Sequence, residues 1–168
     1  MLDQIKRFEV FSNCNEALLK EVVENLRIQD AKAGITILNQ GDDSKSLYLI
    51  LDGTLLVTQL AIDGKIVSLE LAKKGQCFGE IAIIDGAPRS ASVISLSDVK
   101  LGILTEKFVN EILMSDKIFL KSLLLRFAGI VRSANTQIFS LITATARKRL
   151  VLQLVRLSKM IQGNPHFR

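Results

Sequence analysis

Tryptophan is absent from this 168-residue chain, tyrosine and histidine occur once each, and proline and cysteine twice each. Each shortage removes a class of chemistry. The single histidine, His166, sits in the tail, so a Ser-His or Cys-His nucleophile pair has no base in the body of the chain, and a metal barrel has no histidine ligands. Cys14 and Cys77 stand far apart and form no C-x-x-C pair. That excludes a disulfide framework and a zinc knuckle, and fits a reduced, cytoplasmic setting. Long uncharged apolar runs are missing too. Asp3, Lys6, Arg7 and Glu9 interrupt the first turns, and Lys121 and Arg126 interrupt later runs. Neither a signal peptide nor a membrane span is expected.

What remains is aliphatic sequence punctuated by glycine, long enough to bury a sizeable core and short enough to suggest one domain with an appendage. Charge is divided unevenly along it. Residues 1–114 carry 12 Lys and Arg against 16 Asp and Glu, whereas residues 115–168 carry 10 against 1. The basic end fits either an acidic partner or a solvated helix face.

Residues 2–11 and 15–26 read as two short helices, with Asn15 as the N-cap of the second. From Ile28 to Leu104 short runs rich in Val, Ile, Leu and Thr alternate with glycine turns at intervals near eleven residues, the rhythm of an all-β sandwich or barrel. Asp52-Gly53 and Asp63-Gly64 have tight-hairpin chemistry and predict strands near 46–51, 55–61 and 65–71. Two more strands flank Ser97-Asp98. Thr105 reads as the cap of a helix to about Met114, and Ser115 as the cap of the next. In that next helix Leu120, Leu124, Phe127, Val131, Ala134, Ile138 and Leu141 alternate spacings of four and three, a coiled-coil seam. A long helix packed on its own barrel would also carry an apolar stripe. Phe119, Leu123, Leu125 and Ile130, however, supply a second apolar side, and two sides suggest two partners. The last segment, 144–161, repeats helical spacing with Leu150, Leu154, Leu157 and Ile161. The expected organisation is a β-barrel with N-terminal helices over 1–114, a long helix over 115–143, and a basic helix and tail over 144–168.

One stretch carries chemistry. Residues 75–94 run from strand-like sequence through Gly79-Glu80, one short apolar turn from Ile81 to Ile84, Asp85-Gly86, and Pro88-Arg89-Ser90-Ala91-Ser92-Val93. A glycine before a short helix lets the backbone approach a ligand, and a helix start presents unpaired N–H groups to an anion. Arg89 adds a planar donor fork matched to phosphate oxygens, and Ser90 adds a hydroxyl. Glu80 would repel a phosphate but could accept from a hydroxyl donor on the same ligand, such as a ribose. Taken singly, Gly79 and Gly86 also fit ordinary turns, Glu80 the first turn of any helix, and Arg89 a solvated surface. Their joint spacing points to a nucleotide.

Phe-Gly-Glu-Ile-Ala followed by Pro-Arg-Ser-Ala-Ser-Val resembles the phosphate-binding cassette of cyclic nucleotide-binding domains, as in the catabolite activator (CRP/FNR) family of bacterial regulators. The resemblance extends to the Gly41…Leu47-Tyr48-Leu49-Ile50…Gly53 spacing. It implies a mainly β fold with flanking helices, namely a double-stranded β-helix (jelly-roll) barrel followed by a long dimerisation helix. It assigns the ribose 2′-hydroxyl to Glu80 and the cyclic phosphate to Arg89 and Ser90, with Gly79, Ile81, Ala82 and Ala91 lining the cradle. It also implies a homodimer through residues 120–141. Ser133 falls where the family's long helix reaches the base, and Arg132 is a departure there.

The implied protein is a cyclic nucleotide sensor with no cofactor and no catalysis. Cyclic AMP is the expected ligand, with cyclic GMP second, because serine at position 90 lacks the help that threonine gives guanine in this family. Two cysteines cannot hold the four-cysteine cluster of the family's oxygen sensors. Only seven residues follow Ile161, so DNA binding is expected only in a longer chain bearing a helix-turn-helix. The alternatives are a stand-alone nucleotide sensor, or the same fold responding to another effector. A channel or kinase module is set aside because neither spanning helices nor a second domain is present.

Overall fold

A computed structural model describes residues 1–143 together with 151 and 154, except for the side chains of residues 137 and 140–143. The chain divides into two compact units, Met1–Leu123 and Leu124–Arg168.

The first unit opens with α1 (Leu2–Lys6), a 3-10 turn (Glu9–Phe11) and α2 (Glu16–Glu24). Asn15 caps α2 as expected, its side-chain oxygen accepting from the Leu18 amide at 2.8 Å. Eight strands follow: β1 (Arg27–Ala31), β2 (Thr36–Leu38), β3 (Leu47–Asp52), β4 (Thr54–Leu60), β5 (Ile66–Lys73), β6 (Cys77–Phe78), β7 (Ser92–Ser95) and β8 (Val99–Leu104), with α3 (Glu80–Asp85) between β6 and β7. They form two four-stranded sheets, β1-β8-β3-β6 and β2-β7-β4-β5, and every strand pair is antiparallel. This is the mainly β jelly roll with flanking helices expected from the sequence.

Both Asp-Gly pairs turn the chain, but only one closes a hairpin. At Asp63-Gly64, Leu60 pairs with Ile66 and the Ala61 amide donates to the Lys65 carbonyl at 2.8 Å. At Asp52-Gly53 the chain leaves one sheet for the other. β3 already has β8 on one edge and β6 on the other, so β4 finds no edge there and pairs with β5 and β7. Gly53 is required at that crossover: its φ is +91°, and a Cβ would stand 2.5 Å from the Asp98 carbonyl oxygen.

Between the sheets lies an apolar core including Leu38, Ile50, Leu55, Phe78, Val93 and Leu101. Alternation along β3 sends Leu47, Leu49 and Leu51 to the other face, where they are also buried; Ile5, Phe8, Phe11 and Leu19 of the N-terminal helical segment are buried too.

The helix expected over 105–114 is interrupted. Thr105 caps α4 (Glu106–Glu111), Ile112 departs to φ −108° and ψ −60°, and a 3-10 turn follows over Leu113–Ser115. The cap of α5 (Lys117–Thr143) is Asp116 rather than Ser115. Asp116 is extended, and its carboxylate accepts from the Ile118 and Phe119 amides at 2.9 and 2.7 Å. Ser115 still lies in the preceding turn, where its hydroxyl donates to the Glu111 carbonyl. A carboxylate at this end also complements the helix dipole. The first unit runs past residue 114 to Leu123 because Phe119 and Leu123 are buried in it, Phe119 with its ring 5.3 Å from that of Phe11.

In the second unit Leu124, Leu125, Ile130, Val131, Ile138 and Phe139 of α5 are exposed. Of the helix expected over 144–161, Val151 and Leu154 are described, both helical and exposed; the remainder, with Leu150, Leu157 and Ile161, lies outside the described residues. Among the described residues no helix is long and apolar enough to cross a membrane.

Candidate functional site

The carboxyl end of β6 meets α3 through Gly79, whose φ of +89° turns the backbone sharply between strand and helix. Gly86, with φ +70°, ends the helix. Ala82 and Ile83 are buried and anchor α3 to the barrel, whereas Ile81 and Ile84 face outward. The short apolar turn read from the sequence is thus a real helix held on one side only. Beyond Gly86 the chain returns through Arg89 into β7.

Arg89 is 4% exposed, not the solvated surface charge it could have been. The loop before β3 grips it from two directions. Its amide donates to the Asp42 carbonyl at 2.9 Å, and its carbonyl accepts from the Gly41 amide at 2.8 Å. Its guanidinium donates from Nη1 to the Gly79 carbonyl at 2.7 Å, from Nη2 to the Ser46 carbonyl at 2.9 Å, and from Nε to Ser44 Oγ at 3.3 Å. All three acceptors are neutral. Burial pushes the guanidinium below its ordinary pKa, while Tyr48, Glu80 and Asp42 pull it back up. Among the described residues the three acceptors use three of its five N–H groups, leaving one on each Nη for a ligand.

Glu80, the first residue of α3, is 7% exposed and close enough to Arg89 to act on its charge. Ser90 is exposed and Ala91 half-buried; the Ser90 carbonyl accepts from Gln59 Nε2 at 3.4 Å. The structure therefore brings Gly79, Glu80, Ile81, Ala82, Arg89, Ser90 and Ala91 into one strand-helix-strand turn. Arg132 and Ser133 belong to the second unit, both exposed on α5. Sequence reasoning missed the Asp42–Ser46 loop and Tyr48 as neighbours of Arg89. Hydrogen bonds to backbone carbonyls leave no residue signature, and Tyr48 reads as ordinary strand.

An open cleft of about 580 Å³ lies elsewhere, lined by Asp30, Lys32, Asp52, Lys74, Asp98 and Lys100. Four of its charges pair, Lys32 with Asp98 at 2.7 Å and Lys74 with Asp52 at 3.1 Å, all well exposed. Such pairs contribute little and attract no particular ligand. The buried fork of Arg89 is the more specific feature.

The cyclic nucleotide-binding domain family model matches residues 28–116. A cyclic nucleotide-gated cation channel of Ictalurus punctatus is 37% identical over 101 residues, covering 56% of this chain and 14% of the channel. The chain thus spans only a small part of the curated relatives it matches. Among solved structures, the regulatory domain of Toxoplasma gondii PKA with cAMP is 29% identical with a TM-score of 0.62, covering 66% of this chain and 42% of that one. The Thermus thermophilus catabolite activator protein shares the fold at a TM-score of 0.71 and 22% identity, covering 79% and 62%. Channel, PKA regulatory domain and catabolite activator are different proteins, two of them kinds set aside from the sequence, and the two solved structures share this chain's fold. On the family match over residues 28–116, this chain belongs to the cyclic nucleotide-binding domain family.

Proposed function

We propose that the chain is a cyclic AMP sensor, the regulatory half of a CRP-like transcription regulator, in which Arg89 and Ser90 hold the cyclic phosphate and Glu80 the ribose 2′-hydroxyl. The observation that carries this reading is the state of Arg89: a guanidinium buried among neutral acceptors, with one N–H left on each Nη. A buried charge is costly unless paired, and an arriving phosphate adds a bidentate partner to the Coulombic support that Glu80 and Asp42 already give. The backbone of Gly79, Ile81, Ala82 and Ala91 closes the cradle around it. That a similar kinase regulatory domain was solved with cAMP supports the choice of base.

Calorimetric titration with cyclic AMP, cyclic GMP and 5′-AMP tests the reading. Cyclic AMP is expected to bind at micromolar concentration or tighter, cyclic GMP more weakly, and 5′-AMP, which lacks the cyclic ester, much more weakly. Equal binding of 5′-AMP, or no binding of either cyclic nucleotide, overturns it.

The switch in this reading is a homodimer through residues 120–141. Support comes from the seam itself: Leu124, Val131, Ala134 and Ile138 are exposed in the single chain, and Leu120 and Phe127 are half-buried. The Leu141 side chain lies outside the described residues. An apolar stripe of this length left in water favours association. Sedimentation is expected to give a dimer for the parent and a monomer for Val131→Asp; a parent that stays monomeric at tens of micromolar removes the dimer from the proposal. Ligand binding then shifts an equilibrium between dimer-helix positions only to the extent that it favours one of them. Arg132 and Ser133, on the same helix, are the proposed contacts to the base, and DNA binding would need a helix-turn-helix in a longer chain.

A further inference from the structure

The space between the sheets is aliphatic except at one end. Leu38, Ile50, Leu55, Val93 and Leu101 fill most of it, and two aromatic rings, Tyr48 and Phe78, lie together where Arg89 enters. β3 and β6 set them directly opposite one another, with ring centroids 4.9 Å apart and planes 13° from parallel. The guanidinium carbon of Arg89 stands 5.8 Å from the centroid of the Tyr48 ring. Tyr48 is the chain's single tyrosine. Ile50, two residues along β3 on the same face, shows that an aliphatic side chain suffices for packing there.

The hydrogen bonds of Arg89 to Ser44, Gly79 and Ser46 all run from the edge of the guanidinium plane. Bonds at the edge fix where the fork lies but resist tilting of its plane poorly; the Tyr48 ring, with the guanidinium carbon over it at 5.8 Å, limits how far the fork can move on that side. The ring also stabilises the buried charge through its quadrupole while consuming none of the N–H groups. A carboxylate in the same place would take those N–H groups and compete with an incoming anion.

We propose that Tyr48 is a positioning residue of the anion site: stacked on Phe78, it backs the Arg89 fork and keeps the remaining N–H groups aimed at the ligand. The proposal rests on the reading of Arg89 as the phosphate ligand.

A double-mutant cycle tests it, with cyclic AMP affinity measured by competition against a fluorescent cyclic nucleotide. Tyr48→Leu is expected to weaken binding about fivefold, and Tyr48→Phe, which keeps the ring, to stay within about twofold of the parent. In an Arg89→Ala background the cost of Tyr48→Leu should shrink below about twofold, because a residue acting through another loses its effect when that other is gone. Thermal melts check that each variant folds, and Tyr48→Met takes the place of Tyr48→Leu should the latter unfold. If the Leu and Met variants bind like the parent while Arg89→Ala does not, the positioning role is wrong and the anion site stands. If Tyr48→Leu costs the same factor with and without Arg89, the ring acts on the fold or the ligand directly and the proposal is overturned. A parent that binds no cyclic nucleotide removes both.

Discussion

Arg89→Ala is expected to weaken cyclic AMP binding by at least about 2 kcal/mol, roughly thirtyfold. The expectation follows from where the side chain is. At 4% exposure the guanidinium is out of solvent before any ligand arrives, so the desolvation of one member of the ion pair is already built into the fold. A phosphate entering the site gains that charge without dragging a long, solvated arginine into place. Alanine removes the charge and leaves the phosphate facing backbone amides and the Ser90 hydroxyl.

The same substitution strips the Gly79 and Ser46 carbonyls of their donors. Stability should therefore also fall, by about 1–3 kcal/mol for each carbonyl that water fails to reach. Calorimetry below the melting transition separates the two effects. Arg89→Lys sharpens the test, since it keeps a positive charge but loses the fork: it should bind between parent and alanine variant, because a point charge cannot serve two phosphate oxygens and two carbonyls at once. If Arg89→Ala remains folded and binds as tightly as the parent, the assignment of the site is wrong.

The sequence foretells the cassette better than it foretells the cassette's surroundings, and the reason is physical. Gly79, Glu80, Arg89 and Ser90 are local in sequence, and the positive φ values at Gly79 and Gly86 leave glycine as their trace. Strand positions were legible for β3, β4, β5, β7 and β8 because alternation and turn residues mark them. Which strands share a sheet was not. Asp52-Gly53 has hairpin chemistry, yet the edges of β3 were taken by β8 and by β6, a strand of two residues too short to carry any pattern. Asp116 displaced Ser115 as a cap by a single position, well within what capping chemistry leaves open. The loop from Asp42 to Ser46 holds Arg89 mostly through main-chain carbonyls, which every residue possesses. The burial of Arg89 is the structure's main addition: by composition alone an arginine belongs in water.

Gly79→Ala should damage fold and site together. The glycine sits at φ +89° and ψ 3°, a left-handed conformation that costs an L-residue about 1–2 kcal/mol. A Cβ there would also stand 2.7 Å from Arg89 Nη1 and 2.7 Å from the Ser46 carbonyl oxygen. Neither neighbour yields cheaply. The carbonyl is backbone at the entry to β3, and Nη1 is tied to Gly79's own carbonyl. Overpacking of this kind adds about 1–3 kcal/mol, so a total loss of about 2–5 kcal/mol in unfolding free energy is expected. Relief of the clash has to come from moving α3 or the Arg89 fork, and either motion disrupts the cradle. Cyclic AMP binding should fall at least as far as in Arg89→Ala. Gly86→Ala provides the control: that residue is also left-handed, at φ +70°, but its added Cβ meets nothing within 4 Å. It should show the conformational cost alone and bind nearly as the parent does. Equal melting temperatures for the two alanine variants, with parental affinity in both, would mean that the close approach of Gly79 to Arg89 has no part in building the site.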